Sequence, residues 1–159
     1  MQTTRHIEKE RNDDKGLATD LCNSMGILTF LFLLFYFLVM RAMHLHEALI
    51  LSAFNIIVLL IGIWLTLNIY SKRIHEKIDF NLGFKMGLHV TMLAVIPFAL
   101  FICFYLYVDN AFMDFIKIHT MYGQYFDPNI AALLVCLQGM TSGFVLTLIL
   151  MQFYRKRKD

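Results

Sequence analysis

The stretch LCNSMGILTFLFLLFYFLVM, Leu21 to Met40, holds 20 residues without Asp, Glu, Lys or Arg. A helix of about 20 mostly apolar residues, rising about 1.5 Å per residue, crosses a hydrocarbon core of about 30 Å. Its second half, from Phe30 onward, is apolar on every face, which suits lipid better than a pore. Three more charge-free runs follow: Ala48–Ser71 (24 residues), Met86–Val108 (23) and Pro128–Tyr154 (27). The 159-residue chain is 58% hydrophobic and 16% charged, against about 25% charged in soluble domains. This composition excludes a soluble enzyme, a nucleic-acid domain and a disordered tail. The expected fold is all-α, a polytopic membrane protein whose four transmembrane helices form two antiparallel hairpins. The spans are expected at about 23–40, 48–70, 86–107 and 129–154, with cytoplasmic tails at 1–22 and 155–159.

Charge sets the orientation. Arg5, Lys9, Arg11 and Lys15 precede the first run, Lys72, Arg73, Lys77 and Lys85 separate the second from the third, and Arg155, Lys156, Arg157 and Lys158 follow the fourth. The other two connections hold only Arg41 and Lys117. Lys and Arg gather in cytoplasmic loops, so both termini and the middle connection are expected in the cytoplasm. A net charge of +2 is too mild for nucleic-acid binding. No cleavable leader is expected, because the first run follows a charged segment and no small-x-small site closes it. Cys22, Cys103 and Cys136 fall at or inside spans, outside any C-x-x-C pair, and read as soft packing residues.

Residues 1–20 mix five acids with four bases and read as a solvated tail with at most a short helical turn. In span two, Ser52, Asn55, Gly62 and Thr66 share one helical stripe. Small and polar residues of this kind face other helices in membranes. Ser71–Lys85 carries Ile74, Ile78 and Leu82 in one row and reads as an amphipathic segment on the inner surface. Span three contains Pro97, which removes a backbone donor and is expected to kink it. In the 109–129 connection, Phe112, Phe115, Ile116 and His119 repeat at helical spacing, as a short surface helix ended by Gly123 would. Cys136, Gly139, Gly143 and Leu146 share a face of span four. The two glycines leave a groove for a second backbone, expected to be span two or three of the same chain, with a homodimer as the alternative.

No G-x-G-x-x-G, P-loop, G-x-S-x-G or H-E-x-x-H motif is present. His75-Glu-Lys-Ile-Asp79 lacks the second imidazole of the zinc-protease pattern. His44, His46, Glu47 and His119, with Asp109, Asp114 and Asp127, fall on the expected exterior side and are suitable ligands for a divalent ion. They read first as polar residues near headgroups, and no metal or other cofactor is expected. His89 lies near the inner interface, where a neutral hydrogen-bonded ring accounts for it. Asn55 and Gln138 are the deepest amides. They either bond across helices or line a substrate path. No span holds an internal Asp, Glu, Lys or Arg of the sort active transporters use. The Arg155–Lys158 run suits anionic lipid at the inner leaflet.

The stretch Ile78-Asp-Phe-Asn-Leu-Gly-Phe-Lys-Met-Gly87, then a proline-containing span, then Tyr105-Leu-Tyr-Val-Asp-Asn-Ala-Phe112, resembles an uncharacterised, domain-of-unknown-function family of small four-span bacterial inner-membrane proteins. The resemblance would cover most of 24–154. It implies a four-helix membrane fold, and it supplies no activity and no catalytic residues. The sequence thus points to a non-enzymatic membrane scaffold or accessory subunit with the bilayer, and a homodimer mate or another membrane protein, as partners. The alternatives are a small channel or transporter, and a membrane enzyme with an exterior metal site.

Overall fold

The computed structural model of the chain describes residues 2–42, 48–74, 78–109, 113–114, 117–118, 125 and 127–154. It is all-helical, with four long helices in chain order: α1 (Gln2–Ala42), α2 (Ala48–Ile74), α3 (Phe80–Val108) and α4 (Pro128–Tyr154). Each contains a segment long and apolar enough to cross a membrane: Gly16–Ala42, Phe54–Ile74, Phe80–Val108 and Pro128–Tyr154. Large apolar side chains remain exposed around the bundle, among them Phe32, Phe35, Leu100, Phe104, Leu133 and Phe153. That is the surface lipid tails require and water penalises.

The helices extend beyond the apolar runs at three places. First, α1 runs back to Gln2, so the segment expected as a solvated tail is helical. Arg5, Glu8, Arg11 and Asp14 alternate in sign at i,i+3, a spacing that supports a helix even without burial. Ala18, Leu21 and Cys22 of that segment pack into the core. Second, α2 continues to Ile74, with Lys72 and Arg73 in its last turn, where cations meet the negative end of the helix dipole. Third, α3 begins at Phe80 behind Asp79, whose backbone is extended and whose carbonyl accepts the Gly83 N–H at 3.0 Å. Of the surface segment expected over 71–85, residues 71–74 continue α2 and 80–85 begin α3, Ile78 is fully buried, and 75–77 lie outside the described residues. Residues 113–114 and 117–118 are helical, and the rest of the expected surface helix lies outside the described residues.

α3 is the central element, packed most extensively against α4 and α1, with α2 against α1 and more loosely against α3 and α4. The contacts fix the directions. Cys22 meets Met86, Gly26 meets Leu93, and Arg41 meets Tyr105, so α1 and α3 run the same way. Gly62 meets Thr29 and Phe54 stacks on Tyr36 (5.1 Å), so α2 runs against α1. Along α3 and α4 the contacts pair Gly83 with Met151, Gly87 with Thr147, Thr91 with Gly143 and Val95 with Gly139. Each four-residue step forward on one helix is a four-residue step back on the other, an antiparallel seam. α3 continues through Pro97 without a break in the helix.

Candidate functional site

Four threonines, Thr29, Thr66, Thr91 and Thr147, are buried, and each donates its hydroxyl to the carbonyl four residues earlier, at 2.7–2.8 Å. Satisfied within its own helix, such a side chain packs like a small apolar group. Three of them lie over a glycine of the neighbouring helix: Thr29 over Gly62, Thr91 over Gly143 and Thr147 over Gly87. A Cβ at any of these glycines would fall on the threonine. The α3–α4 seam thus contains the same spelling twice, Gly83-x3-Gly87-x3-Thr91 and Gly139-x3-Gly143-x3-Thr147. The antiparallel arrangement places each threonine on the other helix's glycine. Gly83, Gly87, Thr91 and Thr147 were not singled out from sequence, although the repeated pattern marks them. Gly62 lies on the α1–α2 contact, Thr66 is buried one turn further along α2, Gly139 faces Val95, Cys136 and Leu146 are partly buried against the core, and Ser52 lies in α2.

Beyond Thr91 and Gly143 the seam opens into a cavity of about 60 Å³. Its polar lining is Asn55 from α2 and Gln138 and Ser142 from α4, with Leu33, Val95 and Phe98 among its apolar walls. The volume suits about two water molecules. The Oδ1 atom of Asn55 is buried there and accepts no hydrogen bond. Asn55 and Gln138, the two deepest amides in the sequence, are therefore at one depth and in one cavity. It spans about two helical turns, and toward the chain ends the bundle centre is filled. Ile63, Thr66, Leu67, Tyr70, Val90, Thr91, Thr147 and Met151 are each at most 2% exposed.

A second polar group ties the C-terminal ends of α1 and α3. The Arg41 guanidinium donates to Tyr105 Oη from Nε (2.8 Å) and to Asp109 Oδ2 from Nη2 (2.5 Å), while Tyr105 Oη donates to the same carboxylate oxygen (2.9 Å). Phe37 packs edge-on to Phe98, Phe101 and Tyr105 one turn below. The sequence gives no local sign of this cluster, since its members lie 64 and 68 residues apart. At the opposite end Cys22 donates to the Met86 carbonyl and is buried, and His89 Nε2 lies 3.0 Å from Asn23 Oδ1. Cys103 donates to Asn129 Oδ1 at 3.4 Å.

His44, His46, Glu47 and His119 lie outside the described residues, as do His75, Glu76 and Lys77 and the basic segment 155–159. Among the described residues no group of three or more His, Cys, Asp or Glu side chains is placed to hold a metal ion.

Fold and site together define a class: a multi-pass, all-helical membrane protein whose spans are packed through threonine-on-glycine contacts beside a small polar cavity. No family model, curated protein or solved structure matches the chain, so the family resemblance seen at Ile78–Gly87 and Tyr105–Phe112 stays an expectation.

Proposed function

We propose that this chain is a non-enzymatic scaffold or accessory subunit of a bacterial inner membrane, with both termini and the α2–α3 connection in the cytoplasm. The observation that carries the reading is the closed centre of the bundle. A conducting pore needs a continuous polar path, whereas here the polar cavity spans about 10 Å of helices about 40 Å long. Among the described residues the buried side chains toward the chain ends are apolar or are threonines bonded within their own helix. The orientation follows from the distribution of basic residues. Arg41, one of two bases on the sparse side, is moreover held by Asp109. The Arg155–Lys158 run then meets the anionic inner leaflet, each base contributing about 1 kcal/mol of attraction. Membership of the four-span family suggested by the sequence would agree with this reading and adds no activity to it.

Reconstitution tests it. Liposomes containing the purified protein should pass ions, water and small solutes no faster than protein-free liposomes. A flux that rises with protein content and falls in Asn55→Leu would replace this reading with a channel lined by Asn55 and Gln138. Stoichiometric zinc in the purified protein, lost when His44, His46 and His119 are all changed to Gln, would replace it with a metalloenzyme.

A further inference from the structure

We propose that the cavity among the four helices binds a neutral, membrane-dissolved molecule ending in a primary alcohol, whose hydroxyl donates to Asn55 Oδ1. Such a ligand goes beyond the scaffold role and opens no path along the bundle. Asn55 Oδ1 is buried, lacks a hydrogen-bond partner and belongs to a residue that lines the cavity. An amide oxygen left unpaired in a low-dielectric interior is costly, so the cavity favours a guest that supplies a donor. A ketone, quinone or ether only accepts, and would leave the oxygen as it is.

Depth removes the charged donors. Asn55 is the eighth residue of α2, about 10 Å from its start, and Gln138 is the eleventh of α4, about 15 Å from its start. None of the residues lining the cavity is charged. An ammonium group or a zwitterionic headgroup carried there would find no counter-ion. Size then separates the neutral donors. The cavity holds about 60 Å³, room for about two non-hydrogen atoms at the volume each water takes in the liquid. A terminal CH₂–OH fits that space. A carboxylic acid or primary amide, with three non-hydrogen atoms in its head, does not.

The opening shows how the guest arrives. Leu33, Val95 and Phe98, from α1 and α3, form buried apolar walls, while Asn55, Gln138 and Ser142 stand on α2 and α4. Of the lining residues, Ile56 and Gln138 are the exposed ones, and they also stand on α2 and α4. The cavity therefore opens between these two loosely packed helices, toward hydrocarbon. Water also donates, but it is scarce in that medium and would lie against apolar walls. An alcohol arrives dissolved in the same medium and sets its methylene on those walls. Ser142 lines the cavity with a hydroxyl that can donate to the ligand's oxygen. The rest of the ligand chain leaves between α2 and α4 and stays in the bilayer.

Thermal unfolding of the purified full chain in detergent tests the site, with n-decanol titrated as its mole fraction in the micelle. The wild-type midpoint should rise saturably, as a ligand of the folded state requires. The isosteric n-decyl fluoride cannot donate, and its apparent affinity should be about tenfold weaker, the loss of one hydrogen bond. Asn55→Ala keeps the room and removes the acceptor, so the two compounds should bind it alike. Asn55→Leu fills the room and should respond to neither. Leu100→Ala, exposed on α3, should keep the wild-type preference. A diazirine-bearing long-chain alcohol should label α2 and α4 beside Asn55 and Ser142, and excess n-decanol should suppress that labelling. A wild type without a saturable rise has a cavity for water alone, which overturns the ligand. Equal affinity for the fluoride, or a preference that survives Asn55→Ala, overturns Asn55 as the acceptor. Labelling that excess n-decanol leaves unchanged overturns the cavity as the site.

Discussion

Gly143 and Gly16 occupy the same kind of helix and obey opposite rules. In a free helix, glycine to alanine is stabilising by about 1 kcal/mol, because alanine loses less backbone entropy. Gly16 has nothing within 4 Å of where a Cβ would stand. Gly16→Ala should therefore raise stability by about 0.5–1 kcal/mol, read as a higher thermal midpoint in detergent. At Gly143 the added Cβ falls on Thr91 Cγ2, and α3 and α4 must move apart. Gly143→Ala should lower stability by about 1–3 kcal/mol despite its better propensity, and Gly87→Ala, on the mirror contact with Thr147, should do the same. A rise in the midpoint for either would remove the close contact from the account. The pair Gly139 and Gly143 was legible in the sequence as a groove. Its occupant was not, because spacing along one helix carries no information about which helix lies opposite. Reading the same Gly-x3-Gly-x3-Thr spelling in α3 supplies that information.

Among the elements, the parallel pair α1 and α3 has no connection of its own and is held at one end by Arg41, Tyr105 and Asp109. The guanidinium and carboxylate are about a quarter exposed, so part of their attraction is screened by water and headgroups. Hydrogen bonds to charged groups still contribute about 1.5–3 kcal/mol where they are partly shielded. Asp109→Asn and Arg41→Gln should each cost about 1–2 kcal/mol, and the double variant should cost less than their sum, because each single change strands the other charge. Strict additivity in a thermal-unfolding cycle would mean that the pair does not couple. The helix ends were partly readable. Lys72 and Arg73 before the α2–α3 connection and Asp79 after it are ordinary C- and N-terminal signals. The charge of Ser71–Lys85 nevertheless drew it out of the helices as a surface segment. Residues 1–20, expected as a tail with at most a short helical turn, are helical from Gln2 onward, an extent that their lack of an apolar pattern does not announce.

At the scale of the molecule, the four apolar runs were plain because hydrocarbon sets a minimum length and tolerates almost no charge. The cavity was not, because void volume arises from how four helices mismatch, which no single helix encodes. Asn55→Leu replaces an unbonded buried amide with apolar volume in that cavity. It should stabilise the isolated monomer by about 1 kcal/mol, seen as a higher midpoint in dilute detergent, and a lower midpoint would mean that Asn55 is satisfied there. The chain crosses the bilayer four times in this account, and the proposed orientation puts its ends on the cytoplasmic side. Accessibility of single cysteines in intact cells, in a background without the three native ones, tests this most directly. Ala42→Cys, at the exposed end of α1, and Gln124→Cys, in the α3–α4 connection, should react with a membrane-impermeant thiol reagent, and Lys156→Cys should react only after the cells are opened. Labelling of Lys156→Cys in intact cells, with Ala42→Cys protected, would contradict the account.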